Sequence, residues 1–149
     1  MAYHPRLTSA LQMVAEAFAP YPRPARIDLC GFCYTQEELD DLNATPSDKL
    51  EGDLLRRLNW ETADHWDSTD LYKHFLPLIL GYLAPPGYTE VMYPAHLFET
   101  LSWHRFPSWP AREREAVGCY IEAFLKVLEE LDVPDRKEWQ AAWEALPKS

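Results

Sequence analysis

Apolar residues in this 149-residue chain recur three and four places apart, and nowhere do they alternate strictly. That period belongs to helices, so the backbone is predicted to carry no sheet. Leu7, Leu11, Val14, Ala15 and Phe18 form one such face, and Pro20, Pro22 and Pro24 end it, because proline lacks an N–H and restrains the residue before it. An extended connection over Pro20–Phe32 leads to Cys30-Gly31-Phe32-Cys33. Thr35 followed by Glu38 reads as a capping box opening a helix over Gln36–Asn43. After a turn at Thr45-Pro46-Ser47-Asp48, Leu50, Leu54, Leu55, Leu58 and Ala63 carry the next face.

The widest apolar arc follows a cap at Ser68 or Thr69. Leu71, Phe75, Leu78 and Tyr82 make one stripe, and Tyr72, Leu76, Ile79 and Leu83 a second beside it. A helix apolar over so wide an arc belongs at the centre of a fold, and Pro77 inside it predicts a kink or a displaced start. Pro85-Pro86-Gly87 ends the element. A helix over Tyr93–Trp103, a rigid aromatic loop from Trp103 to Pro110, a long helix from Pro110 to Leu131 and a last one opened by Asp135 complete the chain. In the long helix Val117, Ile121, Phe124, Leu125 and Leu128 point inward, and Glu113 and Glu115 suit its positive end. In the last, Trp139, Ala142, Trp143 and Leu146 share a face. The prediction is all-α: a single domain over residues 1–149, an antiparallel bundle of about six to seven helices joined by short connections.

The net charge of −10, with no basic run, repels phosphate backbones and anionic membrane surfaces. No apolar stretch reaches the length of a membrane span, and the apolar run from Leu7 to Phe18 lacks the flanks of a secretory signal. Three cysteines are too few for a disulfide framework. These features predict a soluble cytoplasmic protein that binds neither nucleic acid nor membrane. Six tryptophans, eight tyrosines and six phenylalanines supply a large core.

Two thiols at the spacing of Cys30 and Cys33 can clamp a soft metal, cycle between dithiol and disulfide, or sit reduced in a core. A structural zinc takes four thiolate or imidazole ligands. Cys30 and Cys33 offer two, and His74, bordering the stripe of the apolar helix, is the first choice for a distant third; His65, Cys119, His96 and His104 follow. A redox role would use Cys33 as the attacking thiol at the start of the capped helix and Cys30 to resolve. The third reading treats both as small hydrophobes, as free cysteines often are. Cys119, between Val117 and Ile121, is predicted to pack in the core. The acids from Glu61 to Asp70 read as helix-capping charge, and His104 as part of a packed loop. The chain has no Gly-rich phosphate loop, no His-Glu-x-x-His and no Gly-x-Ser-x-Gly.

The chain resembles a group of uncharacterised bacterial helical proteins of about this length. The residues that carry the resemblance are Cys30-Gly31-Phe32-Cys33 after its Pro-rich lead, Thr35-Gln36-Glu37-Glu38-Leu39, Asp70-Leu71-Tyr72-Lys73-His74-Phe75-Leu76-Pro77 and the Trp109-Pro110 start of the long helix. It implies an all-helical fold. The function expected from the residues is non-enzymatic binding of another protein, for instance neutralisation of a basic partner, with a structural zinc at Cys30 and Cys33. The alternatives are a thiol-redox or other small enzyme using Cys33 and Cys30, and a small-molecule site near His74 and the Trp103–Trp109 loop. The oligomeric state is open, and an uncovered Trp139 or Trp143 would signal a dimer.

Overall fold

The structure, a computed structural model, describes residues 4–29, 34–50, 58, 66, 68–84 and 94–149. Among these are six α-helices and no strand: α1 (Pro5–Phe18), α2 (Gln36–Ala44), α3 (Thr69–Leu83), α4 (Pro94–Trp103), α5 (Ala111–Glu130) and α6 (Arg136–Ala145), with 3-10 turns at Ser47–Lys49 and Phe106–Ser108. The all-helical prediction holds. The Cys30–Cys33 tetrad, nearly all of the Leu50–Ala63 segment, His65 and Pro85-Pro86-Gly87 lie outside the described residues.

The caps are those the sequence encodes. At the start of α2 the Thr35 hydroxyl accepts from the Glu38 N–H and the Glu38 carboxylate accepts from the Thr35 N–H, so two orphan donors are satisfied reciprocally. Ser68 caps α3 by accepting from the Leu71 N–H. Pro77 sits inside α3 without displacing its start, which stays at the Ser68 cap. Eight buried residues along α3 hold the helix in place despite the hydrogen bond that Pro77 cannot donate.

Helix α1 buries Leu7, Ala10, Val14, Ala17 and Phe18. Two members of the predicted face move: Ala15 is exposed and Leu11 only half-buried, while Ala10 and Ala17 take their place. The buried spacing of three and four is that of a knobs-into-holes seam, and the partner is α5, on which α1 packs most extensively. His4 and Arg6 at the start of α1 pair with Glu130 at the end of α5, and Tyr21 beyond the end of α1 bonds Glu113 near the start of α5. This pair therefore runs antiparallel. Helix α1 also packs on α3, α4 on α6, and α5 on α6.

All five predicted inward residues of α5 are buried, together with Glu113, Ala116, Tyr120 and Val127. Cys119 is a correction: it is exposed, on the outward stripe of Glu115, Glu122 and Lys126. Its flanking apolar neighbours suggested burial, but on a helix residues one and two apart do not share a face. Trp139 and Trp143 are covered, Trp139 completely, by ring contacts to Phe98, Phe124 and Phe106. Among the described residues the exposed tryptophan is Trp103, at 64%. Among the described residues no helix is long and apolar enough to cross a membrane.

Candidate functional site

Where α1, α3 and α5 meet, two opposite charges are buried together. Lys73 lies on the inner stripe of α3, three and seven residues before the buried Leu76 and Leu80; Glu113 lies on the inner stripe of α5, ahead of Ala116, Val117 and Tyr120. Both side chains are 8% exposed, and Lys73 Nζ stands 2.6 Å from Glu113 Oε1. Among the described residues the ammonium is the sole polar partner of Oε1. The other carboxylate oxygen, Oε2, accepts from the Tyr21 hydroxyl at 2.5 Å, and that hydroxyl in turn accepts from Lys73 Nζ at 3.1 Å. Each of the three groups thus touches the other two.

Aromatic faces complete the ammonium's surroundings: Nζ lies 4.8 Å from the Tyr21 ring centre and 4.7 Å from that of Trp109, within cation–π range. Trp109 is fixed by its indole N–H, which donates to the His104 carbonyl at 2.7 Å, and by edge contacts with Phe18 and Phe106. Burial alone pulls the Lys73 pKa down, but the hydrogen bonds and charges of Glu113 and Tyr21 outweigh it and hold it above the ordinary lysine value. Burial, and then the bond to Glu113, push Tyr21 up. A lysine kept protonated and a phenol kept neutral are poor nucleophiles, so this cluster is suited to holding three elements in register rather than to covalent chemistry.

A second polar path leaves the same corner. His74 donates from Nδ1 to the Tyr21 carbonyl at 2.9 Å, and its Nε2 meets the Ser47 hydroxyl at 2.8 Å. Because a carbonyl only accepts, Nδ1 carries a proton, and in the neutral ring Nε2 then accepts from Ser47. Arg23 donates to Ser47 Oγ at 3.1 Å, to the Thr45 carbonyl at 2.5 Å and to the Leu42 carbonyl, capping the end of α2. As placed, His74 offers no vacant nitrogen to a metal; coordination would require giving up one of these bonds. Cys30 and Cys33 are outside the described residues, and among the described residues no three metal-ligating side chains cluster.

His104 is buried as the packed-loop reading expects: it stacks on Tyr72 with ring centres 4.2 Å apart, and its Nδ1 bonds Thr69 at 3.0 Å. Tyr72, itself fully buried, bonds Thr100, and burial raises its pKa far above the ordinary tyrosine value. A cavity of about 450 Å³ opens between α5 and α6, lined by Glu122, Leu125, Glu129, Arg136, Trp143 and Lys148 among others; neither His74 nor the Trp103–Trp109 loop lines it.

Lys73, Tyr21 and Trp109 are the members of this site that sequence reasoning missed, and Glu113 was read only as helix-end charge. The signal was present: each charged residue opens a stripe whose next members, three and four or seven places on, are apolar. Comparison with protein-family models, with curated proteins and with solved structures finds no match.

Proposed function

We propose that this chain is a non-enzymatic cytoplasmic protein that works by binding a second, basic protein. The observation that carries the reading is Trp103: at 64% exposure it stands beside a loop whose other aromatics, Phe106 and Trp109, are buried. A tryptophan presented on a rigid support is a frequent interface anchor, and a net charge of −10 steers a basic partner toward it. The titratable groups of this corner support the same reading, since the buried Lys73 and Glu113 and the half-buried His74 all spend their polar atoms on internal partners. The test is capture from a lysate of the encoding organism on immobilised wild-type and Trp103→Ala protein. The expected result is a specific basic protein held by the wild type, weakened by salt and lost at least about tenfold in the variant. Identical protein sets on both columns would sink the proposal.

The zinc part of the reading rests on the two thiols of Cys30 and Cys33, which would supply half a tetrahedral set. It is tested by elemental analysis of untagged protein beside a Cys30→Ser, Cys33→Ser variant. About one zinc per chain, lost in the variant together with thermal stability, supports it; no metal in either removes it. The redox alternative gains little from α2, because Glu37 and Glu38 place carboxylates at the helix end that would otherwise favour a thiolate.

A further inference from the structure

The groove between α5 and α6 is lined by charges of both signs, sorted toward its two ends. The helices run antiparallel: a methyl added at Gly118 of α5 would stand 3.8 Å from the Trp143 ring of α6, while Phe124 of α5 packs on Trp139 of α6 with ring centres 5.1 Å apart. Later positions of α6 therefore face earlier positions of α5. At the end of the cavity nearer the turn between the helices, the lining carries Lys126 and Arg136 against Glu129. At the far end it carries Glu122 and Glu144 against Lys148. Two cations against one carboxylate leave the first end positive, and two carboxylates against one ammonium leave the second negative. Leu125 and Trp143, both buried, supply apolar surface between them.

Part of this lining is already committed. Lys148 Nζ donates to the Trp143 and Leu146 carbonyls at 2.6 and 2.8 Å and lies 4.4 Å from the Trp143 ring centre. Glu144 accepts from Gln140 Nε2 at 2.7 Å, which leaves the Gln140 amide oxygen to accept from a ligand N–H. By contrast, among the described residues Glu122, Lys126, Glu129 and Arg136 form no ion pair. Glu122 and Lys126 even stand four apart in the order that favours pairing on a helix. We propose that the groove binds short peptides with free termini, about three residues long, with the ammonium at Glu122 and the carboxylate at Arg136 and Lys126. The length follows from the helix: Arg136 and Trp143 are seven residues apart on α6, hence about 10 Å, and three extended residues span about 10–11 Å. A single α-amino acid, whose two charged groups share one carbon, cannot reach both ends. The volume of about 450 Å³ lies within the range of small-ligand sites, roughly 300–1,000 Å³. The inference does not rest on Trp103 or a basic partner, since the Trp103–Trp109 loop does not line this groove.

The experiment is titration of the full-length, nitrogen-15-labelled protein with the tripeptide Ala-Leu-Ala, followed by amide chemical shifts. The same peptide is also used N-acetylated, C-amidated and capped at both ends. The expected result is a saturable shift confined to amides of α5 and α6 that border the groove. Capping either end should weaken binding at least about fivefold, because each cap removes a charge-assisted contact. Glu122→Gln should weaken the free peptide as acetylation does and make acetylation nearly neutral; Arg136→Gln should do the same for amidation. Resonances of α1 and α3 that stay in place report that these variants remain folded. No saturable shift at millimolar peptide would overturn the proposal. So would equal binding of free and doubly capped peptide, since the groove would then hold only the apolar side chain. Acetylation that still weakens Glu122→Gln as much as wild type would refute the orientation, and with it the site as drawn.

Discussion

Removing the Glu113 carboxylate should cost far more than removing the whole buried pair. At an effective dielectric of 20, unit charges at the observed 2.6 Å attract by about 6 kcal/mol. Taking each ion out of water costs several kcal/mol, so the pair as a whole contributes little net stability. Glu113→Gln breaks that balance from one side: it strands the Lys73 ammonium between Tyr21 and Trp109 with neutral partners only. The expected loss is about 3–5 kcal/mol. Lys73→Met strands the carboxylate and should cost a similar amount. The double change Lys73→Met, Glu113→Leu fills the same space with apolar atoms and should return to within about 2 kcal/mol of wild type. The assay is urea unfolding followed by circular dichroism and tryptophan fluorescence, with equal slopes required before energies are compared. Single losses below about 1 kcal/mol that simply add in the double variant would refute the reasoning, since they would mean that the pair is solvated like a surface ion pair.

Three further outcomes follow from the same geometry. Lys73 and Tyr21 both hold their protons more tightly in the fold than in the unfolded chain; their contribution is complete below about pH 10 and is lost as pH climbs through their raised values. The urea midpoint should therefore fall between pH 9 and 11 by more in the wild type than in Tyr21→Phe, and equal slopes would remove the assignment. Trp139→Ala empties a fully buried site between Phe98 and Phe124 and should cost about 3–5 kcal/mol by denaturant melting. Thr35→Ala removes one half of the capping box and should cost about 1 kcal/mol, read as a lower midpoint with an unchanged slope.

The helices were legible because their signals are local. Apolar spacing located α5 and α6, and short-range chemistry gave the caps at Thr35 and Ser68. What the sequence concealed lies in the choice between faces. Ala15 and Ala17 are equally apolar, and only the packing of α1 on α5 decides that Ala17 is inside. Cys119 illustrates the same limit: chain neighbours say nothing of which side of a helix a residue takes. The polar cluster was harder still, because Tyr21, Lys73 and Glu113 come from three separate regions and no spacing rule joins them. A lysine within an apolar stripe announces that a partner must exist, but only the tertiary structure says which acid it is. Trp103 and Trp109 flank one loop with opposite fates, exposed and buried, for the same reason.

The seam between α1 and α5 also sets the order of events as the chain is made. Its two halves lie far apart in sequence: Tyr21 and Glu113, which bond across it, are separated by 92 residues. Synthesis at about 5–20 residues per second places roughly 5–20 s between the appearance of the first half and the second. Throughout that interval Leu7, Ala10, Val14, Ala17 and Phe18 lack the helix that covers them in the finished fold. Until α5 emerges, that face remains apolar surface without its final cover, the kind of surface through which unfinished chains associate.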